Sequence, residues 1–251
     1  MENERDMLKP MNRRDVLGSL AAGSVLATAT LAGAQPKKGA PATKPTKPLA
    51  PVPAGSNKLL ALPFDPAKLP GLSEKLLTSH HQNNYGGAVK NLNAVELELD
   101  KVNKDTPGFQ VNALRDRELT YANSVYLHEA YFQNLGGDGK PSGEFAKALD
   151  KQFGSAARWE ELLRATAMSL GGGSGWVVIA LSARTNDLRI VGTGGHSQAL
   201  AAGTPIFVLD MFEHAYALDY GSAHAKYIDA FFANLSWQAL DKRWQAARMR
   251  T

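Results

Sequence analysis

The sequence predicts an α+β fold: a long N-terminal helical hairpin followed by an α/β domain with a three-stranded antiparallel sheet. Three observations carry this. Apolar residues recur at three- and four-residue steps over two long stretches, 72–101 and 112–135. Between about 175 and 210 the period shortens and β-branched residues crowd three short runs. Helical periodicity then returns and holds to the C-terminus.

Each element has its own signature. In the first helix Leu72, Leu76, Leu77, His80, Ala88, Leu92 and Val95 form one stripe. In the second, Leu119, Ala122, Val125, Tyr126, Tyr131 and Phe132 are the inward set, and "NLGGDGKPSG" stops the helix with glycines and a proline. Two shorter helices follow, near 142–153 and 155–168. "GWVVIALSA", "DLRIVGTG" and "TPIFVLD" read as strands, the first two joined as a hairpin through "RTND". "HAKYIDAFFANL" and "WQALDKRWQAA" close the chain as helices. The expected division is 59–137 for the hairpin domain and 138–251 for the α/β domain.

The region before residue 59 reads differently. Residues 1–34 hold an arginine pair, Arg13-Arg14, then a weakly apolar run and the small-residue sequence Ala32-Gly33-Ala34. This layout resembles a twin-arginine export signal, which implies a periplasmic or otherwise exported protein. The alternative is a membrane anchor, for which the run is short and poor in Leu and Ile. Residues 35–58 are rich in Pro, Lys, Ala and Thr and read as an extended linker.

Composition excludes several chemistries. Hydrophobic residues make up 44% and charged residues 21% of the 251, as in ordinary globular domains. There is no cysteine, hence no disulfide, thiolate ligand or thiol nucleophile. The formal charge of +4 belongs to the leader and linker: residues 1–58 carry nine Lys/Arg against four Asp/Glu, and the remainder nineteen against twenty. The charge is thus no evidence for a nucleic-acid surface, and the rest of the chain has no Arg/Lys run with interleaved aromatics.

The chemistry sits in four inward positions. His80 and His128 lie on the apolar stripes of the two long helices. Asp210 ends the third strand and His214 follows it, inside the apolar run "VLDMFEHAYALDY". Buried charge is costly unless it is paired or bound to a metal. Three imidazoles and one carboxylate would suit Fe, Mn or Zn. Taken singly, each histidine also fits a hydrogen-bonded core position, and Asp210 fits a helix cap.

The stretches "SHHQNNYGGAVKNLN", "YLHEAYF", "GGGSGWVVIAL" and "DMFEHAYALDY" resemble the iron/manganese superoxide dismutases, in order and spacing, over residues 59–251. The resemblance implies one Fe or Mn ion per subunit, held by His80, His128, Asp210 and His214, with solvent as a further ligand. It implies disproportionation of superoxide to dioxygen and hydrogen peroxide, which requires a one-electron metal rather than zinc. Glu213 would reach the ligand histidine of a second subunit, implying a homodimer. His196 would contact the bound solvent, since Ser124 at the alternative position is too short. Tyr131 and Trp176 would wall the pocket, and His81 would be structural. No stable membrane association is expected after export.

Departures cluster on the substrate side. The resemblance would place a His at Asn84, a gateway Tyr at Ala88, a Tyr at Ala217, an Arg at His224 and a Trp at Phe212. Tyr85 is the nearest replacement hydroxyl. These changes imply weaker electrostatic steering of the anion. They also raise an alternative: a metal-binding family member with little dismutase activity, either a slow peroxidase-like redox protein or a dimeric binding scaffold.

Overall fold

Helix α1 (Glu74–Ser79) begins at Ser73, whose Oγ accepts from Leu76 N in an N-cap. The structure, a computed structural model, describes residues 53–170, 174–198 and 200–249; the expected export signal and the linker up to residue 52 lie outside the described residues. From α1 the chain runs without a break through a π-helical turn, His80–Tyr85, into α2 (Gly86–Leu99). Gly86 N reaches back five residues to His81 O. Such a step rotates the helix face further than the usual 3.6-residue turn. Tyr85 therefore joins His80 on the buried side, and Ala88 and Leu92 continue it. Asn84, which four-residue steps from His80 and to Ala88 place on their stripe, is only half buried.

Helix α3 (Gly108–Gln133) starts earlier than the sequence pattern predicts. Pro107 opens it, its carbonyl accepting from Gln110 N and Val111 N. Proline suits a helix start because its fixed φ is helix-compatible and its missing N–H is not needed there. α3 packs along α2, and Val125, His128, Tyr131 and Phe132 are buried. Leu119 and Tyr126, expected inward, are 49% and 62% exposed. Both lie about 180–200° round the helix from His128, on its outer face.

After α4 (Gly143–Phe153) and α5 (Ala156–Ser169) comes the sheet. β1 (Trp176–Ser182) is its central strand, flanked antiparallel by β2 (Leu188–Thr193) and β3 (Gly203–Asp210). Its near-continuous apolar sequence follows from burial on both faces. The register sets Trp176 opposite Thr193 on one side and Asp210 on the other. A short 3-10 turn (Glu213–Ala215), α6 (Ala217–Tyr220), α7 (His224–Ala233) and α8 (Trp237–Arg248) complete the chain. Among the described residues no helix is long and apolar enough to cross a membrane.

The segments expected as two domains share one core, in which Leu92 and Tyr131 of the hairpin belong with Trp159, Phe207 and Phe231. Two ties set the hairpin against the rest. Asp219 of α6 accepts from Ser73 N and Oγ at the start of α1, at 2.7 and 2.6 Å. Arg243 of α8, largely buried, spans Ala130, Gln133 and Asn134 at the C-terminal end of α3 and Ile206 of β3. It donates to the side-chain oxygens of Gln133 and Asn134 and to the main-chain oxygens of Ala130 and Ile206. Ordered contacts also begin before the expected start at Leu59: Gly55 N donates to Glu96, and Asn57 pairs with Asn93 and Glu96 of α2.

Candidate metal centre

Each of four elements brings one donor to a common point. His80 opens the π-turn, His128 lies late in α3, Asp210 ends β3 and His214 sits in the 3-10 turn. One ligand atom from each lies within 4.8 Å of all the others. Asp210 Oδ2 is 3.1 Å from His80 Nε2, 3.2 Å from His214 Nε2 and 3.6 Å from His128 Nε2. His80, His128 and Asp210 are buried, whereas the His214 side chain is 23% exposed and marks the side nearest solvent.

The surroundings orient each donor. His128 Nδ1 lies 2.6 Å from Ser124 O, the carbonyl four residues back. Ser124 Oγ is 3.3 Å from the same nitrogen, on the outer side of the ring. Asp210 Oδ1 accepts from Phe212 N at 2.8 Å, which leaves Oδ2 for the centre. The Asp210 carbonyl is held at 2.8 Å by Tyr227 Oη, which also meets Tyr131 Oη at 3.2 Å.

This arrangement fits a cation. A carbonyl can only accept, so His128 Nδ1 carries the proton and Nε2 presents a lone pair. That buried Nε2 has no hydrogen-bond partner and faces a carboxylate oxygen, another acceptor. His80 Nδ1 is likewise buried without a partner. A metal ion between the nitrogens and Asp210 Oδ2 converts this opposition into coordination. Burial pushes His128 down to about 3 and also lowers His80, so both are neutral ligands. Burial alone would raise Asp210, but the His214 and His80 imidazoles beside it hold it well below the usual carboxylate range. Three imidazole nitrogens and one carboxylate oxygen suit Fe or Mn.

A second layer surrounds the donors. Trp176 Nε1–H donates to His196 Nδ1 at 3.0 Å. The tautomer follows: Nδ1 accepts, so His196 Nε2 carries the proton and is the ring's free donor. Phe212 lies parallel between two imidazoles, its ring 4.5 Å from that of His196 and 5.3 Å from that of His214. Trp176 meets His128 edge-on at 5.0 Å, and Tyr131 lies 5.1 Å from His80. Asn123 Nδ2 donates to His196 O at 2.7 Å and holds that loop to α3. Burial lowers the His196 pKa and keeps the ring neutral. Gly175 lets the strands close around Trp176: at φ +155° it approaches Thr193 O so tightly that a Cβ would sit 2.0 Å from it.

The remaining sequence candidates fall outside this cluster. Glu213 and Ala217 are exposed. His224 starts α7 with its ring 5.9 Å from Tyr216. His81 is structural, 2.7 Å from Leu60 O. Tyr85 is no replacement gateway, because its hydroxyl donates to Glu129 at 2.9 Å and accepts from Leu60 N. The π-turn buries it behind His128, 6.2 Å from that ring. Sequence reasoning missed Tyr227 and Asn123. Tyr227 had a signal, as the one hydroxyl in the apolar face of "HAKYIDAFFANL"; Asn123 had none.

Residues 141–243 match the family described as iron/manganese superoxide dismutases, C-terminal domain. The chain is 47% identical over 184 residues to the superoxide dismutase (Fe) of Cupriavidus metallidurans, covering 73% of this chain and 93% of that one. It is 33% identical over 193 residues to the superoxide dismutase (Mn) of Haloarcula marismortui, covering 75% and 93%. It is 32% identical over 197 residues to the superoxide dismutase (Mn/Fe) of Aeropyrum pernix, covering 76% and 91%.

Proposed function

This chain belongs to the iron/manganese superoxide dismutase family, and from that premise we propose that it disproportionates superoxide to dioxygen and hydrogen peroxide at one Fe or Mn ion per subunit. The observation that carries the reading is the meeting of His80, His128, Asp210 and His214 around a single point. A one-electron metal held there supplies alternating oxidation and reduction by successive superoxide anions. The protein supplies the rest. Asp210 gives the centre its one negative ligand, favouring the oxidised ion, and Tyr227 fixes the backbone that carries it. His196 offers its Nε2–H to water or substrate entering beside His214. Phe212 and Trp176 exclude bulk water from the same space.

Superoxide decay measured on protein reconstituted separately with Fe and with Mn tests the reading. Activity with either ion supports it. Full metal occupancy with no decay above the free ion refutes it and leaves the slow peroxidase-like alternative, which Ala88 and Ala217 favour by supplying no hydroxyl.

A homodimer and export complete the proposal. Glu213, Ala217 and Leu218 form an exposed patch beside His214, suited to a second copy in which Glu213 pairs with the opposite His214. Sedimentation of the Glu213→Ala variant as monomer would support that pairing. Arg13-Arg14 and the following weakly apolar run support export. Cell fractionation of an Arg13→Lys, Arg14→Lys variant tests this, with cytoplasmic retention expected.

A further inference from the structure

Of the two fully buried histidines at the centre, only His128 has its outer ring nitrogen held. His128 Nδ1 is fixed by Ser124 O, whereas His80 Nδ1 is buried without a hydrogen-bond partner. A metal-binding imidazole usually donates that second N–H to a fixed acceptor, which sets the angle of the ring. For His80 the setting must come from its neighbours and its main chain. Its ring rests against Tyr131 and Phe132, at 5.1 and 5.0 Å, and its main chain opens the π-turn. Such a turn is an uncommon insertion in an α-helix. Both its ends are tied to one residue of the preceding segment. Leu60 O accepts from His81 Nε2 at 2.7 Å, and Leu60 N donates to Tyr85 Oη at 3.1 Å. Tyr85 Oη in turn donates to Glu129 of α3 at 2.9 Å. Leu60 is 47% exposed and a cavity of about 90 Å³ lies beside it, so little packing backs these hydrogen bonds.

We propose that His81 and Tyr85, by clasping the Leu60 main chain, are positioning residues for His80, and that opening of this clasp governs how fast the metal leaves. The other buried donors carry their own anchors. Phe212 N holds Asp210 Oδ1, Tyr227 holds the Asp210 carbonyl, and Ser124 O holds His128. His80 depends instead on the shape of its turn. Releasing Leu60 frees both ends of that turn together. The turn can then relax toward the ordinary α-helical register, which rotates His80 away from Asp210 Oδ2. Phe132 touches the rings of His81 and Tyr85 as well as His80, so movement at either end of the turn is passed to the ligand ring. This inference rests on the metal site of the proposed function but not on dismutation.

Loss of metal from the loaded full chain to excess chelator tests it, alongside hydrogen exchange of the peptide spanning 80–86. His81→Leu and Tyr85→Phe each remove a tie to Leu60. Each is expected to speed metal loss about fivefold or more, the worth of one hydrogen bond, and to speed exchange in 80–86 by a similar factor. His81→Gln keeps an N–H donor at about the reach of Nε2 and should restore the slow rate. Asn57→Ala removes two side-chain hydrogen bonds from the same segment, to Asn93 and Glu96, without touching the turn, and should leave both rates unchanged. If His81→Leu does not fold, Tyr85→Phe and Asn57→Ala carry the test. Wild-type rates in the clasp variants overturn the proposal. So does equal acceleration by Asn57→Ala, which marks a general loss of stability, or a failure of His81→Gln to restore the rate. A chain that takes up neither Fe nor Mn overturns this inference and the dismutase reading together. The expected ratios in a loaded chain without superoxide decay support the clasp and sink the dismutase reading alone.

Discussion

Replacing Trp176 with Phe isolates the residue that sets the His196 tautomer. Trp176 is fully buried, and its indole N–H makes the 3.0 Å hydrogen bond to His196 Nδ1. Phenylalanine keeps a ring against His128 and Phe212 but removes the N–H and the outer edge of the indole. The lost hydrogen bond costs about 1 kcal/mol. The three missing ring atoms add about 2 kcal/mol in lost burial and a small void. A total near 3 kcal/mol should lower Tm by roughly 5–10 °C in a domain of this size. With Nδ1 unclaimed, the ring is free to protonate that nitrogen instead, and Nε2–H is no longer assured at the centre. Loss of such an orienting contact typically costs 10- to 100-fold, expected here in kcat/KM for superoxide. The assay is superoxide decay at matched metal occupancy alongside thermal unfolding. Unchanged kcat/KM in a folded, fully loaded Trp176→Phe protein would refute the assignment of His196 as an oriented donor.

Four further outcomes follow from the geometry. Arg243→Met keeps the aliphatic stem but strips donors from Asn134 Oδ1, Gln133 Oε1 and two main-chain oxygens, so denaturant unfolding should report a loss of about 2–4 kcal/mol. Asp219→Ala releases the start of α1 and should cost only about 1 kcal/mol, since the contact is exposed, yet it should speed metal loss to a chelator because His80 rides on that helix. Metal at about 1,000 times its Kd should stabilise the fold by roughly 4 kcal/mol, read as a rise in Tm over the metal-free protein. In that metal-free protein the folded state holds His128 at about 3, far below the value near 6.5 of an unfolded histidine. The unfolded chain therefore takes up the proton first. Stability is fully present above about pH 6.5 and is lost as pH falls toward 3, which denaturation midpoints across that window would show.

The four donors were legible before any coordinates because each lies in a stretch whose apolar period fixes which way it faces. His80 and His128 fall on helical stripes, and Asp210 and His214 interrupt an apolar run that no solvated loop would have. The sheet was equally plain, since "WVVIAL" and "PIFVLD" are β-branched and bounded by turn residues. What escaped was whatever depends on a local change of phase or on a distant partner. A π-turn adds one residue to a helical circuit without a composition signal, so Asn84 was placed on a stripe that Tyr85 occupies. Leu119 and Tyr126 were read inward because apolar character alone cannot tell a core face from an exposed one. Thr193, Asn123 and Arg243 acquire meaning only from neighbours far along the chain.

The seam along α2 decides where a pull on the N-terminal tail would be felt. Gly55 and Asn57 are fastened to Glu96 and Asn93, two turns or more beyond the metal-facing part of the helix, while Leu60 is gripped by Tyr85 and His81 beside His80. Tension from the preceding residues reaches the outer fastening first and peels it open one bond at a time. Only after that gives way does the strain arrive at the grip next to His80. The tail can thus be tugged, cut or tethered while the redox centre keeps its shape, as a sacrificial stitch spares the cloth behind it.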